Sequence, residues 1–193
     1  MHLTSQDQVV EEMMSHPFLR GLSPAFLRNI GHGASVQTYA VDEYLLREGE
    51  TADRLFLIFS GNVAIEAESF GRGRLTIETV GAGQVVGWSW SIDRGRYEHD
   101  ARALKETRAV VVGANVLRLA CEEDPTNGYQ FIRRLLAVVA DRLANTRLQL
   151  VELHDGEGAE GTSGPLSHGV LIGHAECFDA RSYREALPSR ASR

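Results

Sequence analysis

Residues 48–65 read EGETADRLFLIFSGNVAI, in which a run of large apolar residues ends at a glycine and a second apolar run follows at once. Similar short runs, separated by glycines, continue from residue 34 to residue 118. Such spacing predicts an antiparallel all-β roll or barrel. Within it, VAIEAE and LTIETV alternate apolar and polar residues, which indicates strands with one buried face.

Two short helices are predicted before the roll, over residues 1–33. The stretch QDQVVEEMMSHP is amphipathic and reaches a proline. The stretch LSPAFLRNIG offers Ser23 as a cap, Pro24 at the first helical position and Gly31 after the helix end. The apolar residues that we expect to face inward are Phe18, Leu19, Leu22, Phe26, Leu27 and Ile30.

After the roll, residues 119–154 are predicted to hold a short helix, ended by Pro125, and one long helix. Along the long helix the apolar positions follow one another at gaps of 4, 3, 4, 3, 4 and 3. This is the heptad spacing of a coiled coil, and it favours a parallel homodimer, although such a stripe also serves a helix packed on its own domain. The predicted seam comprises Ile132, Leu136, Val139, Leu143, Leu150 and Leu153, with Thr146 in the remaining place.

The composition narrows the class of protein. A net charge of −6 argues against a chain built mainly to bind nucleic acid. No apolar run is long enough for a membrane span, and the N-terminus lacks the features of a signal peptide. The two cysteines have no metal-binding spacing, so we expect a reduced, cytoplasmic protein. Residues 155–193 begin with a stretch rich in Gly and Ser and are predicted to form a flexible tail.

The sequence contains little that indicates catalysis. There is no G-x-S-x-G elbow, P-loop or paired-carboxylate pattern. A β-roll that binds a metal needs two histidines on one strand, and the seven histidines include no His-x-His pair. We therefore expect no enzymatic activity, no metal and no required cofactor.

The arrangement of N-terminal helices, a glycine-punctuated roll and a long final helix resembles the cyclic nucleotide-binding domain family, of the kind found in bacterial catabolite-activator-type regulators. The resemblance spans residues 17–153. Within EGETADRLFLIFSGNVAI, Gly49, Asp53 and Gly61 fall on the family's signature positions, and ARALKETRAVVVG is similar to the strand pair that closes its roll. The resemblance implies a mainly β fold: an antiparallel double-stranded β-helix (jelly roll) with N-terminal helices and a long C-terminal dimerisation helix.

The resemblance also implies a ligand cassette, here within VVGWSWSIDRGRYEHDARAL, residues 85–104. In ligand-binding members a glycine and a glutamate begin a short helix whose N-terminus holds the cyclic phosphate, and an arginine about ten residues later clamps that phosphate. Gly87 matches the glycine. Trp88 stands at the glutamate's position and Tyr97 at the arginine's.

These departures weigh against cyclic AMP or cyclic GMP bound in the family manner. The phosphate loses its counter-charge, and Glu98 adds a carboxylate beside it; each lost charge-assisted hydrogen bond is worth roughly 1.5–3 kcal/mol. The tryptophans either fill the vacated space as core or line a pocket for a flatter, more apolar ligand, with Arg96, Tyr97 and His99 as polar anchors. The candidate cassette comprises Gly87, Trp88, Ser89, Trp90, Arg96, Tyr97, Glu98 and His99.

We therefore expect a sensor or regulatory module that acts through its dimerising helix on a partner protein. One alternative is a ligand-free interaction scaffold. Another is a true cyclic AMP or cyclic GMP regulator in which Arg96 replaces the missing phosphate clamp. DNA binding is not expected, because residues 155–193 lack the pattern of the helix-turn-helix domain that DNA-binding members carry after the long helix.

Overall fold

The computed structural model describes residues 6–69, 73–92 and 95–157. Its strands are β1 (Ala34–Tyr39), β2 (Tyr44–Leu46), β3 (Arg54–Ser60), β4 (Asn62–Ser69), β5 (Gly73–Gly81), β6 (Val85–Val86), β7 (Asp100–Ala103) and β8 (Thr107–Gly113). Its helices are α1 (Gln6–Ser15), α2 (Pro24–Gly31), α3 (Ala114–Glu123) and α4 (Pro125–Glu157), with 3₁₀ turns at Pro17–Leu19 and Trp88–Ser91. The described residues up to His154 belong to one compact unit.

The strands form two four-stranded antiparallel sheets, in the orders β1-β8-β3-β6 and β2-β7-β4-β5. The last strand, β8, pairs with both β1 and β3, so the end of the roll is inserted beside its beginning. The inner faces of both sheets contribute to one hydrophobic core, in which Phe56, Ile58 and Val110 are fully buried. This arrangement confirms the predicted jelly roll with flanking helices.

The glycine inside the opening stretch, Gly61, is required by the turn between β3 and β4. Its φ of 92° lies in the left-handed region. A Cβ atom at this position would lie 2.5 Å from the carbonyl oxygen of Glu106 and against the side chain of Thr107. Because neither the backbone conformation nor the space admits a side chain, glycine is the residue that fits.

The start of α2 follows its sequence signals, whereas Gly31, which was predicted to follow the helix end, is the last residue of α2 and His32 is its C-cap. The Ser23 hydroxyl accepts a hydrogen bond from the amide of Phe26 at 3.1 Å, and Pro24 takes the first helical position. The Ser23 amide donates to the side chain of Asn127 at 2.8 Å, which joins the start of α2 to the start of α4. All of the predicted inward residues are buried except Phe18, which is half-buried against the core.

Two further predicted boundaries differ from the structure. The roll ends at Gly113 and not at residue 118, because the chain turns directly into α3 after β8. Pro125 begins α4 instead of only ending the preceding helix. A proline is tolerated at the first helical position because its missing N–H has no helical acceptor there. The Asp124 carboxylate supplies the cap by accepting from the amide of Asn127 at 3.0 Å.

Helix α4 carries two stripes of side chains. The inner stripe comprises Phe131, Leu135, Val138 and Arg142. Phe131 and Leu135 are buried in the core, and Val138 is half-buried against it. The predicted heptad stripe lies on another face: Ile132, Leu136 and Leu143 are exposed, and Val139 is half-buried. The stripe that packs on the domain and the predicted heptad stripe are therefore two different faces of one helix.

The structure does not describe all of the predicted seam and tail. The backbone of α4 continues through Leu150 and Leu153, but their side chains fall outside the described residues, and so do residues 158–193 of the predicted tail. Within the described ranges, no helix combines the length and the hydrophobicity that a bilayer crossing requires.

Candidate ligand-binding site

The cassette begins with a sharp turn after β6. Gly87 has a φ of 85°, in the left-handed region, and a Cβ atom there would lie 2.7 Å from the carbonyl oxygen of Arg54. Residues Trp88–Ser91 then form one 3₁₀ turn, in which Ser89 and Trp90 are buried. The glycine-led short helix implied by the resemblance is present, and Trp88, in the glutamate's place, is half-buried against the core.

Tyr97, at the arginine's position, is part of the core, with 3% of its surface exposed. Its hydroxyl donates to the carbonyl oxygen of Arg54 and accepts from the Arg54 amide, both at 3.1 Å. Burial raises the pKa of Tyr97. At the position that the resemblance assigns to the arginine, the chain therefore has a buried phenol that is hydrogen-bonded to the backbone of β3.

The neighbouring Arg96 is directed elsewhere. It is exposed, and its Nη1 donates to the carbonyl oxygen of Gly49 at 2.6 Å, while its backbone forms a bridge with Thr51. Arg96 is not part of the wall of the cassette cavity described next.

The cavity inside the cassette measures about 40 Å³. Sites for small organic ligands usually measure roughly 300–1,000 Å³, so this space is small for a nucleotide. Its wall includes most of the predicted cassette residues, together with side chains from both sheets and from α4. The lining residues are Leu46, Ile65, Val86, Gly87, Trp88, Ser89, Tyr97, Glu98, His99, Asp100 and Arg142.

Trp90 lies apart from this cavity, on the side of the cassette that faces α3 and α4. Its ring centroid is 6.4 Å from that of Phe131, and the Arg118 guanidinium carbon lies 5.9 Å from the ring. The buried Nε1 of Trp90 has no hydrogen-bond partner among the described residues. Trp90 also borders a second, surface cavity of about 270 Å³, together with Ser91, Arg118, Cys121, Glu122 and Ile132.

The wall of the cassette cavity contains one cation that sequence reasoning did not identify. Arg142 of α4 places its Nε 3.0 Å from the Glu78 carboxylate, and its Nη2 donates to the carbonyl oxygen of Val85 at 2.7 Å. Its side chain is 16% exposed. Burial lowers the pKa of Arg142, and the charge of Glu78 partly offsets that effect.

The comparisons with known proteins agree with this fold. The family model of the cyclic nucleotide-binding domain matches residues 36–124. No curated protein is significantly similar to the chain in sequence.

Solved structures share this fold over most of the chain. A cyclic nucleotide-binding domain from Methylobacillus flagellatus is 24% identical with a TM-score of 0.68, and the match covers 86% of this chain and 92% of that one. A putative cyclic nucleotide-binding protein from Geobacter metallireducens is 26% identical with a TM-score of 0.61, covering 69% and 96%. The regulatory subunit of a cAMP-independent protein kinase A from Trypanosoma brucei is 16% identical with a TM-score of 0.61, covering 77% and 51%.

The cavity wall also contains a carboxylate, that of Asp100, whose charge is balanced by arginines. Asp100 is buried and accepts from the Glu48 amide at 2.8 Å. It lies 3.4 Å from the Nε of Arg47 and 3.0 Å from the Nη1 of Arg74. Two arginines thus neutralise this carboxylate from the rim, while Glu98 contributes a second carboxylate to the wall.

Six of the eight predicted cassette residues line one cavity, whereas Trp90 and Arg96 do not. Arg142 could have been suspected from the sequence, because it continues the spacing of the inner stripe of α4 by four residues beyond Val138. Among the described residues, no group of three or more metal-ligating side chains comes together.

Proposed function

We propose that this domain is a non-enzymatic regulatory module, with an altered ligand cassette, that acts through α4 on a second copy of the chain and on a partner protein. The observation that supports the proposal most strongly is the burial and hydrogen bonding of Tyr97. A buried phenol, bonded to the backbone of Arg54, stands where the family's phosphate clamp would be. The cytoplasmic location expected from the sequence remains a prediction.

The chemistry of the altered cassette opposes a cyclic phosphate. The Tyr97 hydroxyl is already engaged, and Glu98 brings a carboxylate to the wall. Charge-assisted hydrogen bonds contribute roughly 1.5–3 kcal/mol each, so the loss of two of them weakens binding by two to four powers of ten, by order of magnitude. We therefore expect cyclic AMP and cyclic GMP to bind weakly.

The route by which Arg96 would replace the clamp requires a rearrangement. Its guanidinium would have to leave the carbonyl oxygen of Gly49, and its backbone bridge to Thr51 would have to shift. The second candidate function, a ligand-free interaction scaffold, is favoured by the small volume of the cavity, about 40 Å³.

The proposed output surface is the heptad stripe of α4. Its side chains at Leu136 and Leu143 are exposed in the single chain, although they are large and apolar. Pairing two such stripes in a parallel coiled coil would bury them, and this is the arrangement that heptad spacing favours. The inner stripe remains on the roll, so one helix contacts both the cassette and the second copy.

Thermal unfolding tests the claim that the altered cassette binds cyclic AMP and cyclic GMP weakly. The purified protein is heated with and without about 1 mM cyclic AMP, cyclic GMP or a cyclic dinucleotide; a ligand at about 100 times its dissociation constant adds roughly 2.7 kcal/mol. We expect no shift with cyclic AMP or cyclic GMP. A rise of several degrees with either would contradict the proposal.

The variant to compare with the wild type is Tyr97→Arg, which places a guanidinium at the position of the family's phosphate-binding arginine. A shift that appears only in this variant would show that the phenol causes the weak binding. The oligomeric state of the wild-type chain, measured by sedimentation, tests the other half of the proposal, and a monomer at all concentrations would contradict it.

A further inference from the structure

The Arg142 guanidinium occupies one end of the cassette cavity. It comes from α4, reaches across to β5 and β6, and binds one carboxylate and one carbonyl oxygen there. The carboxylate is that of Glu78, and the carbonyl is that of Val85. Both are acceptors, so together they form a binding position, next to the cavity wall, for a cation that carries several N–H donors.

The rest of the wall is compatible with the same kind of group. Glu98 and Asp100 contribute carboxylates, although two arginines already pair with Asp100, and the rings of Trp88 and Tyr97 contribute aromatic surface. A planar guanidinium is attracted both by carboxylates and by aromatic faces. A cyclic phosphate requires the opposite charge. Apart from Arg142, the wall therefore suits a guanidinium better than a cyclic phosphate.

Arg142 is also the last residue of the inner stripe that reaches the roll. The side chains of residues 143–148 are all exposed. The contacts of Arg142 with Glu78 and Val85 are therefore the final attachment of α4 to the roll within the described side chains. A group that took over these two acceptors would detach α4 at that point.

We infer that the Arg142 guanidinium is an internal ligand of the cassette, and that the external ligand is a small molecule bearing a guanidinium or primary amine. The external group takes the Glu78 carboxylate and the Val85 carbonyl oxygen, and the distal half of α4 is released. This inference rests on the proposed function, because it names the ligand class of the same site.

The test is chemical rescue of the Arg142→Ala variant. Its unfolding temperature is measured against methylguanidinium chloride, with sodium chloride at equal ionic strength as the reference. We expect a saturable rise of several degrees with a millimolar midpoint, because the probe fills the vacated position and binds only the folded state. An unfolding temperature that follows the sodium chloride reference would overturn the inference.

Arg134→Ala is the matched control. Arg134 lies on the same helix and donates from Nη1 to the carbonyl oxygen of Phe18 at 2.7 Å, but it does not line the cavity. We expect no rescue of this variant by the probe. Equal shifts in the two variants would mean that methylguanidinium acts on the protein generally, and the inference would fail.

If Arg142→Ala does not fold, Glu78→Gln provides the second measurement. This variant keeps Arg142 and removes the charge of its partner, so we expect faster amide hydrogen exchange over residues 136–148. Unchanged exchange would overturn the inference. Cyclic nucleotide response and oligomeric state are measured on the wild type, so a failed rescue is distinguishable from a failure of the proposed function.

Discussion

The hydroxyl of Tyr97 lies 3.1 Å from both the backbone nitrogen and the backbone oxygen of Arg54. One phenol thus ties the cassette to the first residue of β3. Arg54 forms an exposed ion pair with Asp53, which stands on a signature position of the family. The candidate cassette is therefore held by contacts within the chain.

The first prediction concerns this phenol. Tyr97→Phe keeps the ring and removes both hydrogen bonds, and we expect it to lower the free energy of unfolding by about 1–3 kcal/mol, since two backbone groups lose a partner. Urea unfolding measures the change. Tyr129→Phe is the control, because Tyr129 is 64% exposed and should change stability little. Equal effects of the two substitutions would contradict the structural role of the Tyr97 hydroxyl.

The second prediction concerns the turn between β3 and β4. Gly61→Ala places a methyl group against Glu106 and Thr107 at a positive φ, and we expect it to destabilise far more than Gly49→Ala. Gly49 also has a positive φ, but an added Cβ would meet nothing within 4 Å. The left-handed conformation alone costs roughly 1–2 kcal/mol. A similar loss of stability in both variants would mean that the contact at Gly61 is relieved at little cost.

The third prediction concerns the heptad stripe. Leu136 is 65% exposed and Leu148 is 63% exposed, but Leu148 lies off the stripe. In a coiled-coil dimer, Leu136→Lys would bury a charge at the interface, so we expect it to convert dimers to monomers. Leu148→Lys should leave the assembly unchanged. Sedimentation equilibrium compares the two variants, and a dimer that persists in Leu136→Lys would place the interface elsewhere.

The fourth prediction concerns pH. His16 is 1% exposed, packs against Phe59, and its Nε2 lies 3.1 Å from the carbonyl oxygen of Ile58. Burial lowers the pKa of His16, although the hydrogen bond to Ile58 opposes the shift. The unfolded chain therefore binds a proton more readily than the folded one, and stability falls as pH drops below about 6.5.

The slope of this loss reaches at most about 1.4 kcal/mol per pH unit for one group. His16→Gln keeps a donor for Ile58 but does not titrate, so we expect it to remove part of the acid sensitivity between neutral pH and pH 5. His99→Gln changes an exposed histidine and should retain the wild-type dependence. Unfolding temperatures measured across this range decide between the two outcomes.

Local signals in the sequence were sufficient for much of the fold. Ser23 and Pro24 predicted the start of α2, since a cap acts on residues within one turn. Gly61 predicted a turn, but the reason that the turn requires glycine is its positive φ and the close approach of Glu106 and Thr107. Pro125 was ambiguous, because a proline is compatible both with the end of one helix and with the first residue of the next.

The site depended on contacts that no local signal encodes. Arg142 and Val85 are 57 residues apart in sequence, and their contact follows from how α4 lies on the roll. In the sequence, Arg142 only interrupts the apolar inner stripe of α4, and nothing nearby in the sequence indicates its partners. Its role in the cavity becomes visible once Glu78 and Val85 are placed opposite it.

Beyond Arg142, the described side chains of α4 are exposed, so a small change in the angle of the helix at Arg142 would move its far end by a larger distance. From residue 143 to residue 154 the helix is about 18 Å long, at a rise of about 1.5 Å per residue. A tilt of about 10° at Arg142 would displace the far end by about 3 Å, enough to misalign the packing of facing side chains in a coiled coil. The loss of the single ion pair between Arg142 and Glu78 would thus displace the end of the helix by several ångströms.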